Sequence, residues 1–322
     1  MRFHVLTTGL VVLLSSFSVT ATNYDEHPKL DKFVKEMVQE HKYDEKTIRS
    51  VLAQAERKQS ILDAISRPAE KVKPWYEYRD IFIKESRIKA GKAFLKEHKA
   101  IFDEVEAKYG VPREIIAAII GVETFYGRIT GSYRVIDALA TLGFDYPKRS
   151  LFYRELKNYF LMVRTNNLDP LEIKGSYAGA MGLGQFIPSS YISYAVDYDG
   201  DGKKDLWNNV GDAIASVAYY FKRYGWQAGQ PIASPVTLKD SKADKLANET
   251  LSLNKTVSQW KALGVIAPES VPEQDAALFR YDLEDGQEYW LGFKNFYVIT
   301  RYNRSSMYAR VVADFSEILK QP

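Results

Sequence analysis

The sequence predicts a mainly helical α+β protein: a helical core, a helical region before it, and a small β-rich element near the C-terminus. Three observations carry that expectation. Apolar residues recur at helical spacing through most of the chain up to Tyr224. One helix within that stretch is apolar on nearly every side and so belongs at the centre of a core. From Gln230 onward, β-branched and aromatic runs separated by turn signals replace the helical period.

Taken in order, Met1–Ala21 is expected to be a signal peptide outside the fold. Arg2 gives a positive start and Val5–Val19 is mostly apolar. Val19 and Ala21 suit the small residues before a cleavage site. The run is too short and too polar at its flanks for a membrane span. Leu30, Phe33, Val34, Met37 and Val38 form one face of the first helix. Asp44 is placed to cap the second, with Ile48, Val51, Leu52 and Ala55 inward. Pro68 and Pro74 interrupt the pattern. A long helix is expected over Ser86–Tyr109, with Ile88, Phe94, Leu95, Ile101, Phe102 and Val105 as its stripe. Gly110 stops it, and Pro112 opens the all-apolar helix Pro112–Phe125. Further helices are expected at Val135–Leu142, Lys148–Thr165, Pro188–Ala195 and Val210–Tyr224. Strands are expected at Pro231–Leu238, Ala277–Leu283 and Glu288–Thr300, with a turn at Asp285-Gly286, before a helical tail over Met307–Leu319.

Composition removes several chemistries. The chain has 322 residues and 0 cysteines, which excludes disulfides, thiolate metal sites and a cysteine nucleophile. It also excludes a lipid-bearing cysteine behind the signal peptide, so a soluble periplasmic protein without a lipid anchor is expected. A net charge of +3 gives no case for nucleic acid. The count of 22 tyrosines is high enough to ask whether aromatic faces are in use.

Glu123 ends the all-apolar helix, in Ile119-Ile120-Gly121-Val122-Glu123-Thr124-Phe125-Tyr126-Gly127. Burial and the negative helix C-terminus both disfavour its charge and raise its pKa. An acid held protonated near neutrality is what protonation of a glycosidic oxygen requires. On the residues alone, a carboxylate paired with Arg128 is an equal reading. The string Gly175–Phe186 carries four glycines alternating with apolar residues, which suggests a packed loop that lets backbone approach a ligand. Asp197, Asp199, Asp201, the Lys203 carbonyl and Asp205 follow the spacing of an EF-hand-like loop, with Gly202 at the sharp turn. Position 12 is Asn208 instead of glutamate.

Glu123–Gly127, Gly175–Phe186 and Ile299-Thr300-Arg301-Tyr302-Asn303 together resemble the B-type lytic murein transglycosylases, from about Trp75 to the C-terminal helix. That resemblance implies a lysozyme-like helical core and cleavage of the MurNAc-β-1,4-GlcNAc bond of peptidoglycan. It implies Glu123 as the only catalytic acid and base, assisted by the substrate acetamide, with a 1,6-anhydroMurNAc product. Asp137 and Asp145 read as helix-flanking caps and not as a second catalytic carboxylate. The resemblance further implies Ser176 and Gln185 at the sugar and acetamide. Tyr78, Tyr177, Phe186, Tyr220, Tyr302 and Tyr308 would line the groove, Asn303 would add a polar contact, and Lys148 and Arg149 would meet substrate carboxylates. It shifts the last cation ligand to Asp212 and predicts a structural Ca²⁺. No organic cofactor is expected. Phe125-Tyr126 stand where the family pattern has Arg-Trp.

The expected organisation is residues 22–85 as an N-terminal helical region, 86–229 as the core containing loop 197–212, 230–304 as the β-rich element, and 305–322 as a helix packing on the helical region. The expected partner is the glycan strand, with cell-wall synthesis or remodelling proteins as further candidates and a monomeric state. A hydrolytic muramidase and a non-catalytic peptidoglycan-binding protein are the competing readings.

Overall fold

The computed structural model describes residues 23–66, 73–146 and 150–321. The expected signal peptide, Pro68, Lys148 and Arg149 therefore lie outside the described residues. The chain divides into two compact units, residues 1–56 and 57–322. The boundary falls inside the expected N-terminal helical region.

In the first unit, α1 (Leu30–His41) and α2 (Glu45–Ala53) bury Leu30, Phe33, Val34 and Met37 against Ile48, Val51 and Leu52. The Asp44 carboxylate accepts a 2.7 Å hydrogen bond from the Thr47 N–H, capping α2 as its position predicts.

The second unit continues with α3 (Gln59–Ser66), α4 (Trp75–Phe82), α5 (Glu85–Glu97), α6 (Lys99–Tyr109) and α7 (Arg113–Thr124). The expected Ser86–Tyr109 helix is therefore two helices. His98 leaves helical geometry (φ −103°, ψ 25°), and the break sets the Phe94 and Phe102 rings edge to face at 5.8 Å. Gly110 takes the left-handed cap conformation at φ 71°. Next come β1 (Tyr133–Arg134), α8 (Val135–Asp145), α9 (Ser150–Thr165), β2 (Lys174–Gly175), α10 (Pro188–Tyr194) and α11 (Val210–Arg223). β1 and β2 pair antiparallel, Tyr133 opposite Gly175, which joins the segment after α7 to the glycine string.

The β-rich element holds β3 (Ala233–Leu238), α12 (Ser241–Asp244), β4 (Lys255–Thr256), α13 (Val257–Ala262), β5 (Val265–Ile266), β6 (Asp275–Asp282) and β7 (Gln287–Gly292). The sheet order is β4-β6-β7-β3-β5, all antiparallel, around Trp260, Leu278 and Leu291. The expected turn at Asp285-Gly286 closes the β6–β7 hairpin, with Gly286 at φ 83°.

The expected strand over Glu288–Thr300 is half right. It ends at Gly292, and Lys294–Tyr302 is α14. Phe296, Val298, Ile299 and Thr300 are buried on a helix, so their aromatic and β-branched character reflects burial and not a strand. Asn295 ties this helix to the end of the core. Its side chain accepts from the Gln227 N–H at 2.8 Å and donates to the Gln227 and Gln230 carbonyls at 2.8 and 2.9 Å.

The chain finishes with α15 (Ser306–Lys320), which packs along α7 and against α14. Every residue of α7 from Ile115 to Val122 is buried. This close packing requires Gly121. A Cβ there would fall 2.7 Å from Tyr126 Cζ and 2.9 Å from Phe315 Cε1. Gly121→Ala is therefore expected to lower stability by about 1–3 kcal/mol, read by denaturant unfolding. Unchanged stability would mean that the α7–α15 contact yields easily.

Candidate active site

The end of α7 is shaped by its two following residues. Phe125 and Tyr126 both adopt left-handed backbone, at φ 51° and 57°, which is uncommon without glycine. The Thr124 hydroxyl lies 3.0 Å from the Leu183 carbonyl and accepts from the Gly127 N–H at 3.1 Å, so the helix end is fastened to the glycine string. Glu123 is half-buried just before this turn. Removal from water pushes its carboxyl up to about 7, partly opposed by a hydrogen bond from Tyr308. The Tyr308 hydroxyl donates to Glu123 Oε1 at 2.6 Å, across 185 residues of sequence.

Two more phenols gather here. Burial, and then the nearby charge of Glu123, raise the pKa values of Tyr78, Tyr302 and Tyr308. All three stay protonated as donors. The Tyr302 hydroxyl donates to the Gly184 carbonyl at 2.5 Å. Among the described residues no second carboxylate perturbs Glu123. Arg128 does not pair with it either; its guanidinium lies over the Phe125 ring at 4.6 Å. Asp137 and Asp145 are not simple caps. Asp137 is buried and takes both its oxygens to Arg134 at 2.9 Å, and Asp145 meets Arg57 at 3.3 Å.

The glycine string is packed, as its apolar spacing predicts. The Ser176 hydroxyl accepts from the Ala178 and Ala180 N–H groups at 3.3 and 3.0 Å, leaving its own proton to give. Gln185 sits at φ 52°, and its amide nitrogen donates to the Thr130 and Gly182 carbonyls at 3.2 and 3.0 Å. Its amide oxygen is left to accept. Gly182, at φ 67°, has no room for a side chain beside the Leu206 carbonyl.

The family described as "Transglycosylase SLT domain" matches residues 25–317. The chain belongs to the transglycosylase SLT domain family. It is 41% identical over 301 residues to the "Membrane-bound lytic murein transglycosylase B" of Escherichia coli (strain K12), covering 90% of this chain and 82% of that one. The structure of the catenated lytic transglycosylase SltB1 from Pseudomonas aeruginosa superposes with TM-score 0.90 at 47% identity, covering 92% of this chain and 98% of that one. The Escherichia coli lytic transglycosylase Slt35 in complex with calcium gives TM-score 0.83 at 39% identity, with coverage of 94% and 97%. Among its neighbours are thus solved lytic transglycosylases of the lysozyme-like fold that the resemblance implied.

Within this SLT domain, not every expected groove residue is open. Phe186 and Tyr220 are only 3% and 6% exposed. Each packs against Tyr302, at 6.0 and 4.9 Å, and Tyr220 donates to the Arg301 carbonyl. They form an aromatic layer behind the site, because an aromatic on or against the buried face of α11 gains more from core packing than from solvent. Tyr308 is likewise buried and reaches the site only through its hydroxyl. Tyr177 is 41% exposed, and Tyr78, Ser176, Gln185 and Tyr302 are half-buried. Asn303 is exposed beyond α14. Sequence analysis missed Thr124, whose neighbours in the motif drew attention away from it. Its signal was a hydroxyl where the apolar helix stops.

Of the five expected carboxylate ligands of the cation, the structure gathers three. Carboxylate oxygens of Asp197, Asp199 and Asp212 lie within 4.8 Å of one another. Asp205 is not with them: it accepts from the Trp207 and Asn208 N–H groups at 3.0 and 2.9 Å, capping its own turn. Asp201 instead accepts from the Lys203 N–H at 2.8 Å, which holds the turn. Asp212 is buried in the first turn of α11. Burial raises its pKa, the Tyr198 and Asp205 N–H groups lower it, and Asp199 and Asp197 raise it. A buried acid pressed by two others is a donor set that suits a hard cation.

The raised carboxyl of Glu123 fixes a stability prediction. The folded chain holds this proton up to about pH 7, whereas the unfolded chain releases it near 4.5. Stability contributed by the neutral acid is present below 4.5 and falls as pH rises towards 7. Glu123→Gln is expected to match wild type at pH 4 and exceed it at pH 8 by up to about 3 kcal/mol, read as unfolding free energy against pH. Parallel pH profiles would show that Glu123 is not desolvated.

Proposed function

We propose that Glu123 is the single acid and base of a lytic transglycosylase acting on peptidoglycan. The observation that carries this reading is one desolvated carboxyl, raised to about 7, with a phenol and, among the described residues, no second carboxylate beside it. As the C1–O bond breaks, the Glu123 proton goes to the leaving glycosidic oxygen. The 2-acetamido carbonyl oxygen of MurNAc attacks C1. Glu123, now a carboxylate, takes the proton of the C6 hydroxyl as O6 displaces the acetamide at C1. The 1,6-anhydro ring closes and no water is consumed. Tyr308 orients the carboxyl through the whole cycle. Ser176 has a proton to give to the acetamide carbonyl, and Gln185 has an oxygen to accept from a sugar hydroxyl or acetamide N–H. Tyr78, Tyr177 and Tyr302 offer ring edges and hydroxyls along the groove.

Asp197, Asp199 and Asp212 would hold Ca²⁺, which would neutralise their mutual repulsion and pin the loop ahead of α11. The calcium complex of Slt35 supports that choice of ion. The polymer substrate makes the periplasm the working compartment. Among the described residues no helix is long and apolar enough to cross a membrane. Absence of an anchor is not inherited from the family, since the Escherichia coli relative is membrane-bound by name.

Digestion of purified sacculi should release muropeptides lighter by one water, read by mass spectrometry, and Glu123→Gln should abolish them. Full-mass reducing products would assign a hydrolytic muramidase instead. Tyr308→Phe removes the hydrogen bond that lowers the acid's pKa. The alkaline limb of its rate profile should move to higher pH, with kcat reduced about tenfold. An unmoved limb would deny Tyr308 that role. Millimolar Ca²⁺ should raise the melting temperature of the wild type and leave Asp212→Asn unchanged; equal shifts in both would place the ion elsewhere.

A further inference from the structure

The left-handed pair after Glu123 gives two rings different partners, although their centroids stay 6.4 Å apart, edge to face. Tyr126 turns inward against Phe94, with ring centroids 5.0 Å apart. Phe125 remains half-buried and receives two guanidinium groups, Arg87 at 5.0 Å and Arg128 at 4.6 Å from its centroid. Consecutive non-glycine residues in this conformation persist only where the surroundings hold them, and such strain collects at functional sites.

The two arginines differ in what they have left to offer. Arg87 Nη1 donates to the Ile81 and Phe82 carbonyls at 3.0 and 2.9 Å, which caps α4. Its guanidinium also lies 5.5 Å from the Phe82 ring, and Phe82 lies 5.3 Å from Tyr78. Arg128 is exposed, and among the described residues its only side-chain contact of this kind is the Phe125 ring. Neither arginine meets a carboxylate among the described residues. A row of contacts therefore runs from Tyr78 through Phe82, Arg87 and Phe125 to Arg128. The row meets the acid's surroundings at two points, since Tyr78 senses the Glu123 charge and Phe125 is the second residue after it. Beside it, Ile81 and Ile129 are 42% and 64% exposed. A cation held in place by an aromatic face, with its donors free, is prepared for a carboxylate.

We propose that Arg128, seated on Phe125, is a specificity-determining residue that binds a carboxylate on the muramyl unit beside the scissile bond, while Arg87 fixes the ring beneath it. The inference rests on the reading of Glu123 as the acid at that bond. Two sources carry this chemistry: the lactyl carboxylate of a bare glycan and the stem peptide of a decorated one.

The test is binding, which needs no turnover. Affinities of Glu123→Gln and of Glu123→Gln with Arg128→Gln are measured by calorimetry. The ligands are soluble peptide-bearing strands, peptide-free strands with free lactyl groups, and peptide-free strands with the lactyl groups esterified. Arg128→Gln should weaken binding about tenfold for at least one carboxylate ligand and leave the esterified strands unchanged. Arg128→Lys should restore most of the loss. A loss confined to peptide-bearing strands assigns the stem peptide, and one confined to free lactyl strands assigns the lactyl group. Equal affinity on both carboxylate ligands, or an equal loss on the esterified strands, would overturn the proposal. Failure of the wild type to form anhydro products would count against the Glu123 reading separately.

Discussion

The hydrogen bond between Tyr308 and Glu123 is the interaction on which the rest of the site depends. A carboxylate at the end of an all-apolar helix is unfavourable, and among the described residues this phenol is the only hydrogen-bonding partner that acts on it. One donor is enough to orient the group and too little to keep it ionised at low pH. The result is a carboxyl that changes protonation near neutrality, where one group can serve as acid and then as base. Two strong donors or a nearby arginine would have held it charged and removed the first half of that cycle.

That hydrogen bond is held by packing on both sides. α15 lies along α7 because Gly121 lets Phe315 close on the helix. The next turn of chain is locked by Thr124 against Leu183, so the acid, the glycine string and the C-terminal helix form one assembly. Behind it, Phe186 and Tyr220 form an aromatic layer against the inner side of Tyr302 that supports the string from within. The high tyrosine count is thus divided between donors at the site and packing behind it.

Much of this was legible from local pattern. Glu123 stood out because a charge at the end of Ile115–Val122 contradicts its surroundings, and the Gly175–Phe186 spacing announced a packed loop. Ile299–Asn303 was legible as a motif but not as a helix, since Val298, Ile299 and Thr300 carry the composition of a strand. Burial had selected those side chains. The cation loop shows the opposite limit: Asp205 matches the spacing, yet its carboxylate is taken by the Trp207 and Asn208 N–H groups. Spacing describes where a ligand stands and says nothing of the hydrogen bonds that compete for it. Phe186 and Tyr220 were misplaced for a related reason, because an aromatic in a site motif reads the same whether it faces the ligand or supports the residue that does.

The 185 residues between Tyr308 and Glu123 also govern when the acid becomes competent. Contacts of such long sequence separation close late, after local helices have formed. During synthesis the helix bearing Glu123 emerges long before the phenol that orients it. Until the final helix docks, the carboxyl faces an open groove without its donor. The order of translation thus sets when this carboxyl gains its donor: only once α15 has been made and has docked on α7.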